Sequence, residues 1–214
     1  MAAMELADAV RRRRMRRSFD PVRPLPPETV EAALEAATHA PSAGFSQGWD
    51  FVVLLSPAER ARFWDAALAT APDREPDRWL RGVSAAPCLI VCCSDPQRYR
   101  RRYAEPDKAT DTPRPWPIPY WDVDTGMAAL LMLLTAVDHD LGGLFFGVPA
   151  DAMDAVRAAL DIPSDRRLVG VVALGYPGAD GPSAPRRRHR RAVAEVAHAG
   201  RFGRAWSRRA SSSG

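Results

Sequence analysis

The sequence predicts a single α+β domain. Three observations carry the prediction: apolar segments of helical and of strand character alternate along the 214 residues, no linker or internal repeat divides them, and the one long apolar helix falls between two pairs of short strands. At 46% hydrophobic and 26% charged the composition is that of an ordinary globular chain, which excludes fibrous and wholly disordered classes.

Each element has a local cause. Residues 27–40 put Val30, Ala33, Leu34 and Ala37 on one face, with Pro27 suited to a first helical turn and Glu28 and Glu31 near its positive end; Pro41 stops this helix. Phe51 to Leu55 reads as a buried strand. Ser56, Pro57 and Glu59 then have the spacing of a capping box, so a second helix starts there and runs toward Leu68. Prolines and acids from Thr70 to Asp77 predict a loop, and Arg78 to Ser84 leads into a strand at Cys88 to Cys93. Residues 95–120 are rich in Pro, Arg and Tyr. The alternate prolines that end this stretch remove donors and force extended conformations, so the whole of 95–120, with the Pro-rich part at 106–120, is expected as an irregular ordered loop or lid. Val123 to Leu141 is the most apolar helix, expected to be buried nearly all round as the spine of the core. A short strand at Leu144 to Gly147, a helix at 150–160 and a buried strand at Leu168 to Gly175, ended by Gly175-Tyr176-Pro177, complete the order. The domain is assigned to residues 1–206, with a disordered tail at 207–214.

Charge is segregated. Residues 11–17 carry six Arg and residues 186–214 carry nine Arg against Glu195 alone, which leaves the rest of the chain at −10 within a net of +4. Lys108 is the only lysine, so the arginine count itself reflects coding bias before function. Cys88, Cys92 and Cys93 lie in or beside one apolar run and read as buried thiols; the four histidines share no ligand spacing with them, and no structural metal is expected. The longest apolar stretch, Gly126 to Val137, is twelve residues, short of the roughly 20 a bilayer requires. No apolar run follows the first arginines, so neither a membrane span nor a secretory signal is expected, and the reading is cytoplasmic.

Two segments offer chemistry. Arg13, Arg14, Arg16 and Arg17 cluster before Ser18-Phe19, and guanidinium groups grip phosphate through paired, charge-assisted hydrogen bonds. Read alone, the cluster also fits a solvated basic segment, a nucleic-acid contact or an acidic partner. Ala40-Pro-Ser-Ala-Gly-Phe-Ser-Gln-Gly-Trp49 is a small-residue loop with uncharged polar groups at Ser42, Ser46 and Gln47, able to wrap a planar ligand or simply to turn the chain.

In this order and at this distance the two segments resemble the FMN-dependent nitroreductase family, whose start is of the type Arg-Arg-Ser-x-Arg-x-Phe and whose loop is of the type Ala-Pro-Ser-x-x-Asn-x-Gln-Pro-Trp. The resemblance continues through the long helix, Gly143-Leu-Phe-Phe-Gly147, Gly175-Tyr-Pro and Arg188-His-Arg-Arg, and the Phe45 to Trp49 and Trp121 to Met127 segments resemble an actinobacterial-type branch. It implies a central, mostly antiparallel sheet flanked by helices in an intertwined homodimer, each active site built from both chains. It implies FMN held by Arg13, Arg14, Met15, Arg17, Ser42, Ala43, Gly44, Gln47, Arg81, Phe146, Gly147, Arg188 and Arg190, with Arg78 in the same region. Tyr120 and Trp121, with Tyr103 and Trp116, would wall the pocket for a small-molecule acceptor. Met15 stands where the family has Ser, Phe45 where it has Asn and Gly48 where it has Pro.

The chemistry implied is hydride transfer from NADH or NADPH through the flavin N5 to a nitroaromatic, quinone or similar acceptor, with no protein nucleophile. Asp122, Asp124 and the histidines are accordingly read as caps or dipole partners and not as general acids. Two alternatives stay open: a reduced deazaflavin as donor or bound cofactor, and a flavin-binding protein without turnover. A nucleic-acid binder is disfavoured because no reading motif accompanies the arginines.

Overall fold

The centre of the fold is a strand buried on both faces. The computed structural model describes residues 4–70, 75–110, 115–178 and 189–206; Arg188 and the expected tail at 207–214 lie outside them. Strand β2 (Cys88–Ser94) alternates with a period of two: Leu89, Val91 and Cys93 face one core cluster while Cys88, Ile90 and Cys92 face another. It pairs antiparallel with β1 (Trp49–Leu54) and with β4 (Arg167–Gly175), and β4 pairs antiparallel with β3 (Gly142–Phe146), giving a four-stranded sheet in the order β1-β2-β4-β3. The expected antiparallel sheet flanked by helices is what the chain forms.

On one face α3 (Pro57–Leu68) and α7 (Met153–Ala159) bury Phe63, Ala67 and Val156 against β2, β3 and β4. The capping box read at the start of α3 is present: the Glu59 amide donates to Ser56 Oγ at 3.2 Å, and the Glu59 carboxylate accepts from the Ser56 amide at 2.8 Å. On the other face lie α2 (Pro27–Thr38) and α6 (Tyr120–Asp138), which contribute Val30, Ala33, Ala37, Ala128, Met132 and Ala136. Small residues there let the two helices sit close to the sheet. The short helices α1 (Leu6–Arg12) and α4 (Arg78–Ser84) precede the arginine segment and β2.

Two expectations are corrected. Residues 95–120 are not irregular throughout, because Pro96–Tyr103 forms helix α5: Asp95 accepts from the Gln97 and Arg98 amides at 2.8 and 3.2 Å, and Pro96 occupies the first turn, where its missing N–H is harmless. Pro115, Pro117 and Pro119 bar helix only around themselves. Nor is α6 buried nearly all round. It begins at Tyr120, and Tyr120 (40% exposed), Val123 and Leu130 (47% exposed) form one apolar face open to the outside of the chain. By length and composition α6 is the one helix among the described residues that could cross a bilayer, yet its opposite face is packed in the core.

The chain divides into two units, 1–183 and 184–214. In the second, α8 (Val193–Val196) is opened by the Glu195 carboxylate accepting from the Ala192 amide at 2.7 Å, and His198 bridges Ala205.

Candidate active site

The arginine segment is anchored as an extra rung on the β3 edge of the sheet. Met15 forms a parallel bridge with Gly143, the Arg16 amide donates to the Gly143 carbonyl at 2.9 Å, and Phe19 bridges Pro177 and is buried. The Met15 side chain turns inward against the core. The Arg17 carbonyl lies on Gly82 of α4, leaving no room there for a Cβ. The four arginines are then differently employed. Arg14 donates to the Arg11 and Arg13 carbonyls, and the Arg16 chain covers Gly142. Arg13 stands apart: its Nη1 is buried and has no hydrogen-bond partner. A buried cationic donor without an acceptor is unfavourable unless an anion completes it, which is the condition a phosphate-binding arginine meets.

Farther along the same edge β3 ends at Phe146 and Gly147. Phe146 stacks on Trp64 with ring centroids 5.7 Å apart and planes 4° from parallel, and Trp79 meets it edge-on. A Cβ on Gly147 would meet nothing within 4 Å, so the backbone here faces open space beside an apolar cleft lined by Phe63, Trp64, Trp79, Phe146 and Pro149. A flat ring could approach these backbone groups. The residues on this edge therefore fit a flavin nucleotide: a guanidinium nitrogen of Arg13 without a partner for the phosphate, and an open glycine for the ring.

The second segment folds as a tight 3-10 turn at Ala43–Phe45. Gly44, Phe45 and Gln47 all have positive φ, at 63°, 56° and 47°. Buried Asp124 of α6 (2% exposed) accepts from the Ala43 amide at 2.8 Å and from the Tyr99 hydroxyl at 2.7 Å. Burial and this carboxylate push the Tyr99 hydroxyl well above the usual phenol range, so it remains a donor. Arg102 donates to the Gly44 carbonyl at 2.9 Å while its guanidinium forks onto Asp107 at 2.7 Å. Asp122 instead binds Ser94 at 2.6 Å and Arg167 at 3.0 Å. Both carboxylates make contacts across the fold, and neither caps its own helix through a side-chain hydrogen bond.

Tyr120 and Trp121 open α6 beside Tyr99, Tyr103 and Trp116, which pack edge to face around the Trp116 ring. Trp121 is 8% exposed in the chain, and Arg100 sits 5.9 Å over its ring. Arg81 is exposed and donates to the Pro76 carbonyl, and Arg190 is exposed in the second unit. Tyr99 and Arg102 are residues that sequence reasoning did not single out, and Asp124 was read there only as a cap or dipole partner. Only the opening of α6 and the Arg-Tyr pattern of α5 hinted at them, because their partners are 81, 25 and 58 residues away.

The two predicted halves of the site do not meet within one chain. Gly143 lies opposite Leu174 at one end of β4, whereas Trp49, next to the 42–47 loop, lies opposite Ser94 and hence level with Arg167 at the other end. Leu174 and Arg167 are seven residues apart along β4, about 23 Å, and three strand spacings add about 14 Å across the sheet. The arginine edge and the loop occupy diagonally opposite corners, too far apart for one flavin nucleotide.

Comparison with known proteins agrees with this architecture. The family model described as Nitroreductase family matches residues 10–176. A protein of Archaeoglobus fulgidus named for NADH dehydrogenase/NAD(P)H nitroreductase activity is 30% identical over 152 residues, 70% of this chain and 73% of that one. The 4-nitrobenzoate reductase of a Nocardioides species is 29% identical over 212 residues, covering 86% and 85%. Among solved structures, a nitroreductase-like family protein from Bacillus cereus superposes with a TM-score of 0.68 at 18% identity, covering 93% and 97%, and a nitroreductase with bound FMN from Bacteroides fragilis with 0.62 at 19%, covering 87% and 95%. With the family model spanning most of the chain and the fold shared, this protein belongs to the nitroreductase family of oxidoreductases.

Proposed function

We propose that the protein is an FMN-dependent NAD(P)H oxidoreductase acting as a homodimer, in which each flavin site takes Arg13, Arg14, Arg17, Phe146 and Gly147 from one chain and Ser42 to Gln47 from the other. The observation that carries this reading is the diagonal separation of the two halves, together with the buried Arg13 Nη1, which has no hydrogen-bond partner, on one of them. The apolar α6 face of Tyr120, Val123 and Leu130 supplies a surface for the second copy. Bound flavin would supply hydride transfer between nicotinamide and acceptor. The chain itself would hold the phosphate on Arg13, shield the ring with Phe146 and Trp64, and offer the Tyr120 and Trp121 wall to a nitroaromatic or quinone. Arg188 and Arg190 are proposed as further phosphate ligands, Met15 and Arg81 as ancillary contacts, and the cytoplasm as the location.

The test is the visible spectrum of the purified protein, the mass of what heat releases from it, and anaerobic bleaching by NADH, by NADPH and by a reduced deazaflavin. Flavin bands, the mass of FMN and bleaching by a nicotinamide establish the reading. A deazaflavin mass moves the cofactor, flavin without bleaching leaves a binding protein, and a colourless protein that takes up no FMN overturns the reading.

A further inference from the structure

Among the described non-glycine residues only four have positive φ, and Asp140 and Asp161 are of a type that tolerates it. The other two, Phe45 and Gln47, do not belong to that type and lie in one loop. Phe45 is moreover 76% exposed, so the strained backbone does not serve to bury its ring. The contact beneath the loop is equally unusual: Asp124 is a buried carboxylate whose donors are the Ala43 amide and the Tyr99 hydroxyl, both neutral, with no arginine or lysine paired to it among the described residues. A buried charge satisfied only by neutral donors is a poor way to stabilise a fold but a good way to impose one geometry. Arg102, through the Gly44 carbonyl, and Ser42 Oγ, accepting from the Gln47 amide at 2.9 Å, hold the remaining sides.

We propose that Asp124 is the positioning residue of the 42–47 loop, and that the shape it holds serves to display the Phe45 ring to the planar group that occupies the composite site. Phe45 is then a specificity-determining residue, favouring flat aromatic acceptors over compact or aliphatic ones. The display half rests on the function proposed above; the clamp half does not.

The experiment compares wild type with Asp124→Ala, Asp124→Asn, Tyr99→Phe and Phe45→Ala in the full chain. Hydrogen exchange over residues 40–48 of the apoprotein reads the clamp directly. Asp124→Ala is expected to speed exchange there about tenfold while β2 stays protected. Asp124→Asn, whose amide oxygen still accepts, restores most of the protection. FMN affinity, read by flavin fluorescence quenching, is expected to weaken about tenfold in Asp124→Ala and to recover in Asp124→Asn. Phe45→Ala is expected to raise KM for a nitroaromatic severalfold with kcat little changed. If Asp124→Ala does not fold, Tyr99→Phe removes only one donor and is expected to loosen the same loop. Unchanged exchange over 40–48 in folded variants overturns the clamp, and an unchanged KM in Phe45→Ala overturns the display. Loosened exchange in Asp124→Ala of a protein whose wild type never binds FMN supports the clamp and defeats the functional reading instead.

Discussion

Replacing Arg13 by methionine separates a binding arginine from a structural one, because the two roles predict opposite signs. Nη1 of Arg13 is buried without an acceptor, and an unsatisfied buried donor costs about 1–3 kcal/mol. Methionine keeps an unbranched apolar stem to pack along the β3 edge and removes that donor. The apoprotein should therefore gain stability, by about 2–4 °C in Tm for each kcal/mol in a chain of this size. The same change deletes a charge-assisted hydrogen bond to the FMN phosphate, worth about 1.5–3 kcal/mol, so FMN binding should weaken about 10- to 150-fold. The assay is thermal unfolding without cofactor beside a fluorescence titration of FMN. FMN binding to the native state adds its own stabilisation, so the two curves cross: the variant is the more stable protein without FMN and the less stable with it. An apoprotein Tm that falls by several degrees with FMN affinity unchanged would refute the assignment and make Arg13 a packing residue.

Phe63, fully buried where α3 meets the sheet, should lose about 3–5 kcal/mol on truncation to alanine, read as a lower denaturation midpoint with an unchanged m-value. The three buried thiols make the fold sensitive to alkali. Burial pushes Cys88 and Cys93 up to about 12 from 9.0 and Cys92 higher still. The folded state therefore keeps protons that the unfolded chain releases, and the stability these thiols contribute is intact below pH 9. It falls by about 1.4 kcal/mol per pH unit per thiol between pH 9 and 12. Denaturation midpoints across that window should show a shallower slope in Cys93→Ala than in the wild type.

The elements most legible in the sequence were those specified by contacts within a few residues. The capping box at Ser56 and Glu59, the Pro27 start of α2 and the two-residue alternation of β2 are local events, and their side chains carry them wherever the chain goes. Helix α5 was obscured because its start signal, Asp95 and Pro96, sits in a run whose later prolines dominate the composition. The exposed face of α6 could not be told from its core face in the sequence, since an apolar surface left open has the same composition as one packed in the core. Within the site, the arginine segment and the loop could be recognised as patterns, while the groups that fix the loop could not. Asp124 acts through a backbone amide at Ala43, and a backbone amide leaves no residue signature.

The diagonal placement of the two halves makes a quantitative prediction about mixed dimers. Take one chain carrying Arg13→Met and another carrying Gly44→Val, a position with φ of 63° where even a Cβ would meet Tyr103 at 2.8 Å. If a site draws its arginines from one chain and its loop from the other, a mixed dimer of the two variants gathers both lesions into one site and leaves the other wild type. Random assembly from equal amounts gives half mixed dimers, so about a quarter of all sites should bind FMN with native affinity. Coexpression with distinct tags isolates the mixed dimer, in which the fraction rises to about half. At an FMN concentration that saturates the wild type and neither parent variant, that half-occupancy is a direct count of intact sites. If each site lay within one chain, every site in the mixture would carry a lesion and occupancy would be the mean of the two parents. The roughly 23 Å along β4 between the corners argues against that outcome, because no rearrangement short of unpairing the sheet brings Gly143 to Gly48 in the same chain.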